Sequence, residues 1–226
     1  MAPIETLIGA MSLGEKLGQL TMTAAPYAVT GPFVAGDITE GIRSGAIGNL
    51  LNLYGPETVA KAQRLALTET RLKIPLLIGL DVIHGHRTLF PVPLGETAAF
   101  DPDLWTRTAR AAAEEAAADG VAMTFAPMCD VARDPRWGRM VEGPGEDPHV
   151  GTAIAHAKVK GFQGGNLADA KTLAACAKHF AAYGAVTAGR EYASTDISER
   201  TLHEVHLPAF AAAVEAQVAS VMPAFT

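Results

Sequence analysis

The sequence predicts an α/β protein: an incomplete (β/α)8 TIM-like barrel with about five of the eight strand–helix units present. Three observations carry this. Short apolar runs alternate with helical stretches, no nucleotide-binding fingerprint occurs, and the reactive side chains stand at the ends of the apolar runs. Alternating strands and helices imply parallel βα units with right-handed crossovers, built either as an open doubly wound sheet or as a barrel. Neither G-x-G-x-x-G nor G-x-x-x-x-G-K-[ST] is present, which weakens the nucleotide-binding forms of the open sheet. Asp81, Asp130 and Lys178-His179 close successive runs and Met222 lies in the last. Barrel sites are assembled from the C-terminal ends of several strands, so this placement favours the barrel.

Taken in order, the strand candidates are Gly45–Leu53, Pro75–Val82, Met123–Val131, Leu173–Phe180 and Ser220–Phe225. Between them lie stretches of helical length and composition, Thr58–Leu72, Asp101–Asp119, Asp147–Gln163 and Ser198–Gln217. Asp101-Pro102 and Asp147-Pro148 each set a capping carboxylate before a proline suited to the first helical turn. Gly120 and Gly164 stand where helices should end. Pro208 falls inside the last helical stretch and should kink or split it.

Composition narrows the function classes. The chain has 226 residues, 49% hydrophobic and 19% charged, with a formal net charge of −6. That much apolar surface can offset chain entropy, which excludes disorder. An acidic balance with no Lys/Arg run argues against a nucleic-acid partner. No stretch of 18 apolar residues is present to span a membrane. The N-terminus, MAPIETLIGAMSLGEKLGQL, lacks the basic start and apolar block of a signal peptide. The expected compartment is therefore cytoplasmic, or periplasmic or secreted where a signal has been removed. Cys129 and Cys176 lie in apolar runs and read as buried free thiols.

Several motifs have bland readings. His203-Glu204-Val205-His206 spaces its histidines three apart and is one residue short of H-E-x-x-H, which needs them at i and i+4. His84-Gly85-His86 lacks a third clustered ligand, so no metal or cofactor is expected. No G-x-S-x-G elbow appears, and neither cysteine sits in an activating setting. Asp196 and Ser198 read as helix-entry residues.

Three segments resist a structural reading. GLDVIHGH ends an apolar run with Asp81, and an unpaired buried carboxylate is costly. Arg133-Asp134-Pro135-Arg136-Trp137-Gly138-Arg139 holds three arginines and a Trp, and with the Gly- and Pro-rich EGPGEDP that follows suggests a rigid loop that aims a guanidinium. Cys176-Ala177-Lys178-His179-Phe180 ends an apolar run with a cation and an imidazole, and is followed by Arg190. A pocket of Asp, Arg, Lys and His suits a multiply hydroxylated ligand; phosphorylated or carboxylated ligands would also fit.

These segments closely resemble glycoside hydrolase family 3, especially its bacterial β-glucosidases. MSLGEKLGQL, GLDVIHGH, FAPMCDVARDPRWGR, EGPGEDP, CAKHFAAYG, GREYASTDISERTL and SVMPAF stand in the family's order and cover nearly the whole chain. The resemblance implies that Asp81 accepts from hydroxyls of the non-reducing-end glucose. It implies that Arg136, rather than Arg133 or Arg139, points at the same sugar, that Lys178 and His179 donate to its hydroxyls, and that Arg190 completes the ring. Met222 packs near the glycone on the same basis. Phe225 stands where the family often has Tyr. If Lys178 and His179 both reach the sugar, the strand cannot be regular there, because neighbouring side chains alternate in direction. A non-proline cis peptide or a bulge is expected, and the family shows cis peptides at this point.

The resemblance also implies the activity: a retaining exo-β-glucosidase, with β-xylosidase as an alternative sugar preference. The K-H-F-P-G-H-G stretch of the family's N-acetylhexosaminidases is replaced by KHFAAYG, which argues against that activity. Retaining enzymes need two carboxyl groups about 5–5.5 Å apart. In the family the nucleophilic Asp and the acid/base come later than the V-M segment, so both are expected beyond Thr226, with the remaining barrel strands and a second α/β domain. Residues 1–226 are then the N-terminal portion of the barrel domain, inactive alone. Glu142, Glu146 and Asp147 read as loop ties and a helix cap. The expected partners are glucose or a β-glucoside and the C-terminal part of the same enzyme, with a homodimer left open. A non-catalytic glucose-binding fragment or pseudoenzyme is the competing reading.

Overall fold

The computed structural model describes residues 4–25 and 38–226. Its contacts divide the chain into two compact units, residues 1–80 with 118–122, and residues 81–117 with 123–226.

In the first unit, helices α1 (Ile4–Ala10) and α2 (Leu13–Gln19) precede strand β1 (Met22–Ala24). Helix α3 (Ile38–Arg43), strand β2 (Asn49–Leu51), helix α4 (Pro56–Glu69) and strand β3 (Leu77–Leu80) follow. Ser12 and Glu15 open α2 with a reciprocal capping box: Glu15 N–H donates to Ser12 Oγ at 3.2 Å, and Ser12 N–H to Glu15 Oε2 at 2.8 Å. The Arg71 guanidinium also holds Glu15, at 2.5 Å, and with the Ser12 bond keeps its carboxyl well below the usual range, at about 2. The strands are parallel, Thr23 facing Leu50 and Leu50 facing Ile78. Ile42, Leu50, Val59, Ala66 and Ile78 form the core between them and the helices. Parallel strands are covered by helices, which is why this core is aliphatic.

The second unit holds helices α5 (Pro93–Thr97) and α6 (Pro102–Ala118), strand β4 (Met123–Thr124), helix α7 (Pro148–Gln163) and strand β5 (Ala174–Phe180). Helix α8 (Glu199–Thr201), a π-helical turn over Leu202–His206, helix α9 (Pro208–Glu215) and strand β6 (Ser220–Pro223) complete it. β5 pairs in parallel with β4 and with β6. Asp101 and Asp147 cap α6 and α7 as their positions predict, Asp147 Oδ1 accepting from the N–H groups of His149 and Val150. Gly120 and Gly164 adopt left-handed φ of +87° and +59° just past these helices. Pro208 splits the last helical stretch: Leu207 N–H donates to Leu202 O, one residue further back than in an α-helix, and α9 restarts at the proline. Trp105, Ile154 and Ala157 pack α6 on α7. Lys158 is buried in this layer, 2.5 Å from Glu96 Oε2, and Thr108 Oγ1 donates to the other Glu96 oxygen.

Both units are built of parallel βα elements, the α/β class expected. Two details differ. The described residues contain six strands, because Met22–Ala24 adds one that the sequence pattern did not show. The run Met123–Val131 is a continuous strand over only its first two residues and meets β5 again in an isolated bridge, Met128 to Lys178, just past Pro127, which has no N–H to give a ladder. The cysteines are free and buried as expected.

Candidate active site

The site begins with the backbone of β5. Cys129 N–H donates to Lys178 O at 2.6 Å, and Lys178 N–H donates to Pro127 O at 3.1 Å. On the other side Lys178 is in register with Met222 of β6. The peptides Lys178–His179 and Phe180–Ala181 are cis, and the register against β6 shifts between Lys178 and Phe180. This is the irregularity expected at this point. Lys178 and His179 are both buried, at 3% and 2% exposure, although they are adjacent in the chain.

A buried ammonium needs an anion, and Asp81 provides it. Lys178 Nζ donates to Asp81 Oδ1 at 2.8 Å. The lysine side chain is 4% exposed and the aspartate 44%, so the pair reaches from the interior to solvent. Asp81 is held in place by its neighbour: Val82 is fully buried and its N–H donates to Thr124 Oγ1 at 3.1 Å. Two further N–H groups of Lys178 and the remaining lone pairs of Asp81 are available to a ligand, donors beside acceptors.

His179 is fixed from the opposite side. Its backbone N–H and its ring Nδ1 both lie on Asp130 Oδ2, at 3.0 and 2.8 Å. Tyr183 packs edge-on against the His179 ring, with centroids 5.2 Å apart, and Trp137 packs edge-on against Tyr183 at the same distance. Glu191 ties the next layer. It accepts from Trp137 Nε1 at 2.7 Å through one oxygen and from the Tyr183 hydroxyl through the other. Burial and the Glu191 carboxylate both push the Tyr183 phenol up.

The arginines lie on the two loops that Glu191 joins. Arg136 precedes Trp137, and Arg190 precedes Glu191. The loops touch through Gly189, whose φ is +65° and where a Cβ would stand 2.7 Å from Trp137 N, so a side chain cannot be placed there. Arg136 is exposed and its guanidinium grips Asp134, Nη2 to Oδ2 at 2.6 Å, which keeps the Asp134 carboxyl down at about 2. Arg190 is also exposed. The structure therefore brings Asp81 and Lys178 into contact, with His179 next in the chain and Met222 in backbone register with Lys178. The loops that carry Arg136 and Arg190 meet at Gly189 and are linked to His179 through Trp137 and Tyr183.

Two of the carboxylates read from the sequence as loop ties and a helix cap are engaged. Glu142 pairs with Arg139 at 2.8 Å, and Asp147 caps α7, both as expected. Burial opposes ionisation of Glu142, but the Arg139 contact and the nearby Lys178 ammonium outweigh it and lower its pKa. Phe225 packs on His179, Tyr183 and Tyr192, so its ring serves as an apolar wall. Sequence reasoning missed the roles of Asp130 and Glu191. Among the described residues no group of three or more His, Cys, Asp or Glu could hold a metal. Glu204 pairs with Arg200 instead, and His84 Nδ1 sits on Phe90 O.

The chain is similar to known glycosidases over nearly all its length. It is 39% identical over 222 residues to the periplasmic beta-glucosidase of Salmonella typhimurium, covering 98% of this chain and 28% of that protein. It is 33% identical to a putative beta-xylosidase of Formosa agariphila, covering 97% of this chain and 31% of that one. The crystal structure of a beta-glucosidase from Listeria innocua in complex with isofagomine superposes with a TM-score of 0.88 at 38% identity, over 99% of this chain and 32% of that one. The chain thus spans about a third of the length of the relatives it matches. This likeness agrees with the incomplete TIM-like barrel read from the alternation of strands and helices. The model of the glycosyl hydrolase family 3 N-terminal domain matches residues 12–226, and with the Asp81–Lys178 pair and the arginine loops in place, the chain belongs to that family.

Proposed function

We propose that this chain is the N-terminal portion of the barrel domain of a retaining exo-β-glucosidase and supplies most of the subsite that binds the terminal glucose. The observation that carries the reading is the Asp81–Lys178 pair, a half-exposed carboxylate on a buried ammonium with His179 alongside. Such a pair offers acceptors and donors at hydroxyl spacing. Asp81, Arg136, Lys178, His179 and Arg190 converge on the sugar's hydroxyls, and Met222 packs against its ring. The Listeria innocua beta-glucosidase was solved in complex with glucose, and a mutant of it with laminaribiose, which supports a glucose ligand.

The chemistry needs a nucleophile and an acid/base. Asp81 is bound to Lys178, Asp130 to His179, Glu142 to Arg139 and Asp147 to a helix N-terminus. On the family resemblance we assign both catalytic carboxylates to the part of the relatives' length that this chain does not span, with the further barrel strands and a second α/β domain. A β-xylosidase preference is the second reading, favoured by the xylosidase relative. The names of two relatives favour a periplasmic location. Hydrolysis of a chromogenic β-glucoside and a β-xyloside by a protein carrying this chain tests the proposal. Faster release from the glucoside supports it, faster release from the xyloside favours the second reading, and turnover of neither contradicts both.

A further inference from the structure

The Asp130 carboxylate is more deeply enclosed than any role in binding a ligand requires. Its side chain has no solvent exposure, and it sits on the inner side of His179. One oxygen, Oδ2, takes both the backbone N–H and the ring Nδ1 of the same residue, at 3.0 and 2.8 Å. Two bonds from one atom to one residue fix the ring's position along the chain and its rotation about χ1 and χ2 together. An ionised carboxylate only accepts, so the proton of this contact belongs to Nδ1. A carboxylate behind an imidazole sets its tautomer and orientation in just this way. The other ring nitrogen, Nε2, makes no hydrogen bond to the described residues and is not among the polar atoms sealed from solvent. Tyr183 closes one side of the ring edge-on.

We propose that Asp130 is the positioning residue of His179: it holds the imidazole with Nδ1–H inward, so that Nε2 is the one ring atom presented to the ligand. The proposal deepens the sugar-site reading and rests on it for the nature of that ligand, but the tautomer itself does not depend on it.

The other Asp130 oxygen, Oδ1, is buried without a partner, as is Nδ1 of His206 on the π-helical turn. Burial lowers the His206 pKa and the Asp130 charge opposes this. Among the described residues the Asp130 carboxylate hydrogen-bonds to His179 alone, and the carboxylate and the imidazole orient each other.

Nitrogen-15 NMR of the His179 ring in a protein carrying this chain, with and without glucose, tests this in the wild type, D130N and D130A. Asn keeps the shape and an acceptor oxygen. The expected result is a protonated Nδ1 in the wild type and D130N, and its loss in D130A. Glucose should shift Nε2 in the first two, with affinity within about threefold of each other and at least tenfold weaker in D130A. An unprotonated Nδ1 in the wild type, or a D130A protein with unchanged tautomer and affinity, overturns the proposal. Should D130A fail to fold, the wild type and D130N decide it, and an unprotonated Nδ1 in either overturns it. A protonated Nδ1 whose ring ignores glucose in the wild type upholds the positioning role and overturns the sugar-site reading instead.

Discussion

Lys178 Nζ lies 2.8 Å from Asp81 Oδ1, and the two residues are 97 positions apart in the chain. Removing the carboxylate leaves the ammonium buried without its counter-ion, a loss of several kcal/mol for a fully buried pair. Asp81 is 44% exposed, so water recovers part of this. Asp81→Ala should destabilise the chain by about 1–3 kcal/mol and weaken glucose binding at least tenfold. Denaturant midpoints and a glucose titration check the two parts separately; a change under about 0.5 kcal/mol would show that the pair does not hold the fold.

Lys158 and Glu96 form a pair with no comparable access to water, at 5% and 2% exposure. Burial lowers the Lys158 pKa and the Glu96 carboxylate pulls it back. Lys158→Met leaves Glu96 enclosed with only Thr108 to answer it, and should cost about 3–5 kcal/mol. The double variant K158M/E96L, which removes both charges, should be less destabilised than K158M. Equal losses in the two would contradict the assignment.

Glu191 is the clasp between the loops that carry Arg136 and Arg190. Glu191→Ala frees the Trp137 indole and the Tyr183 hydroxyl at once, both in buried residues. A loss of about 2–4 kcal/mol is expected from two charge-assisted bonds, with a change in near-ultraviolet circular dichroism from Trp137. E191Q, which keeps one acceptor, should fall between. An unchanged spectrum would mean that the loops are held by something else.

Glu15 predicts part of the acid limb of stability. Its pKa falls from an ordinary 4.5 to about 2 in the folded chain, so the folded state holds the proton less tightly than the unfolded one. Its contribution is complete above pH 4.5 and is lost as pH falls towards 2. Unfolding midpoints taken through this window should decline less steeply in Glu15→Gln than in the wild type. Parallel curves would contradict the Arg71 and Ser12 contacts as the cause.

Much of this was legible in the sequence where the signal is local. The Asp-Pro caps of α6 and α7, the glycines after them and the split at Pro208 follow from backbone chemistry at single positions. Asp81, Lys178 and His179 stood out because charge at the end of an apolar run demands a partner. The two-residue β4 did not, since the apolar run Met123–Val131 looks the same whether or not its backbone is paired. β1 is three residues long, too short for alternation to show. Asp130 and Glu191 find His179 and Trp137 at separations of 49 and 54 residues. No spacing rule reaches that far, and an Asp at a strand end or a Glu beside an Arg has many ordinary explanations.

The central claim is that Asp81, Lys178 and His179 bind a sugar. A crystal structure of a protein carrying this chain, soaked with glucose, tests it most directly. The account predicts one glucose with hydroxyls within hydrogen-bond distance of Asp81 Oδ2, Lys178 Nζ and His179 Nε2, and the Arg136 and Arg190 loops closed on it. Glucose bound elsewhere, with the Asp81–Lys178 pair untouched, would contradict it.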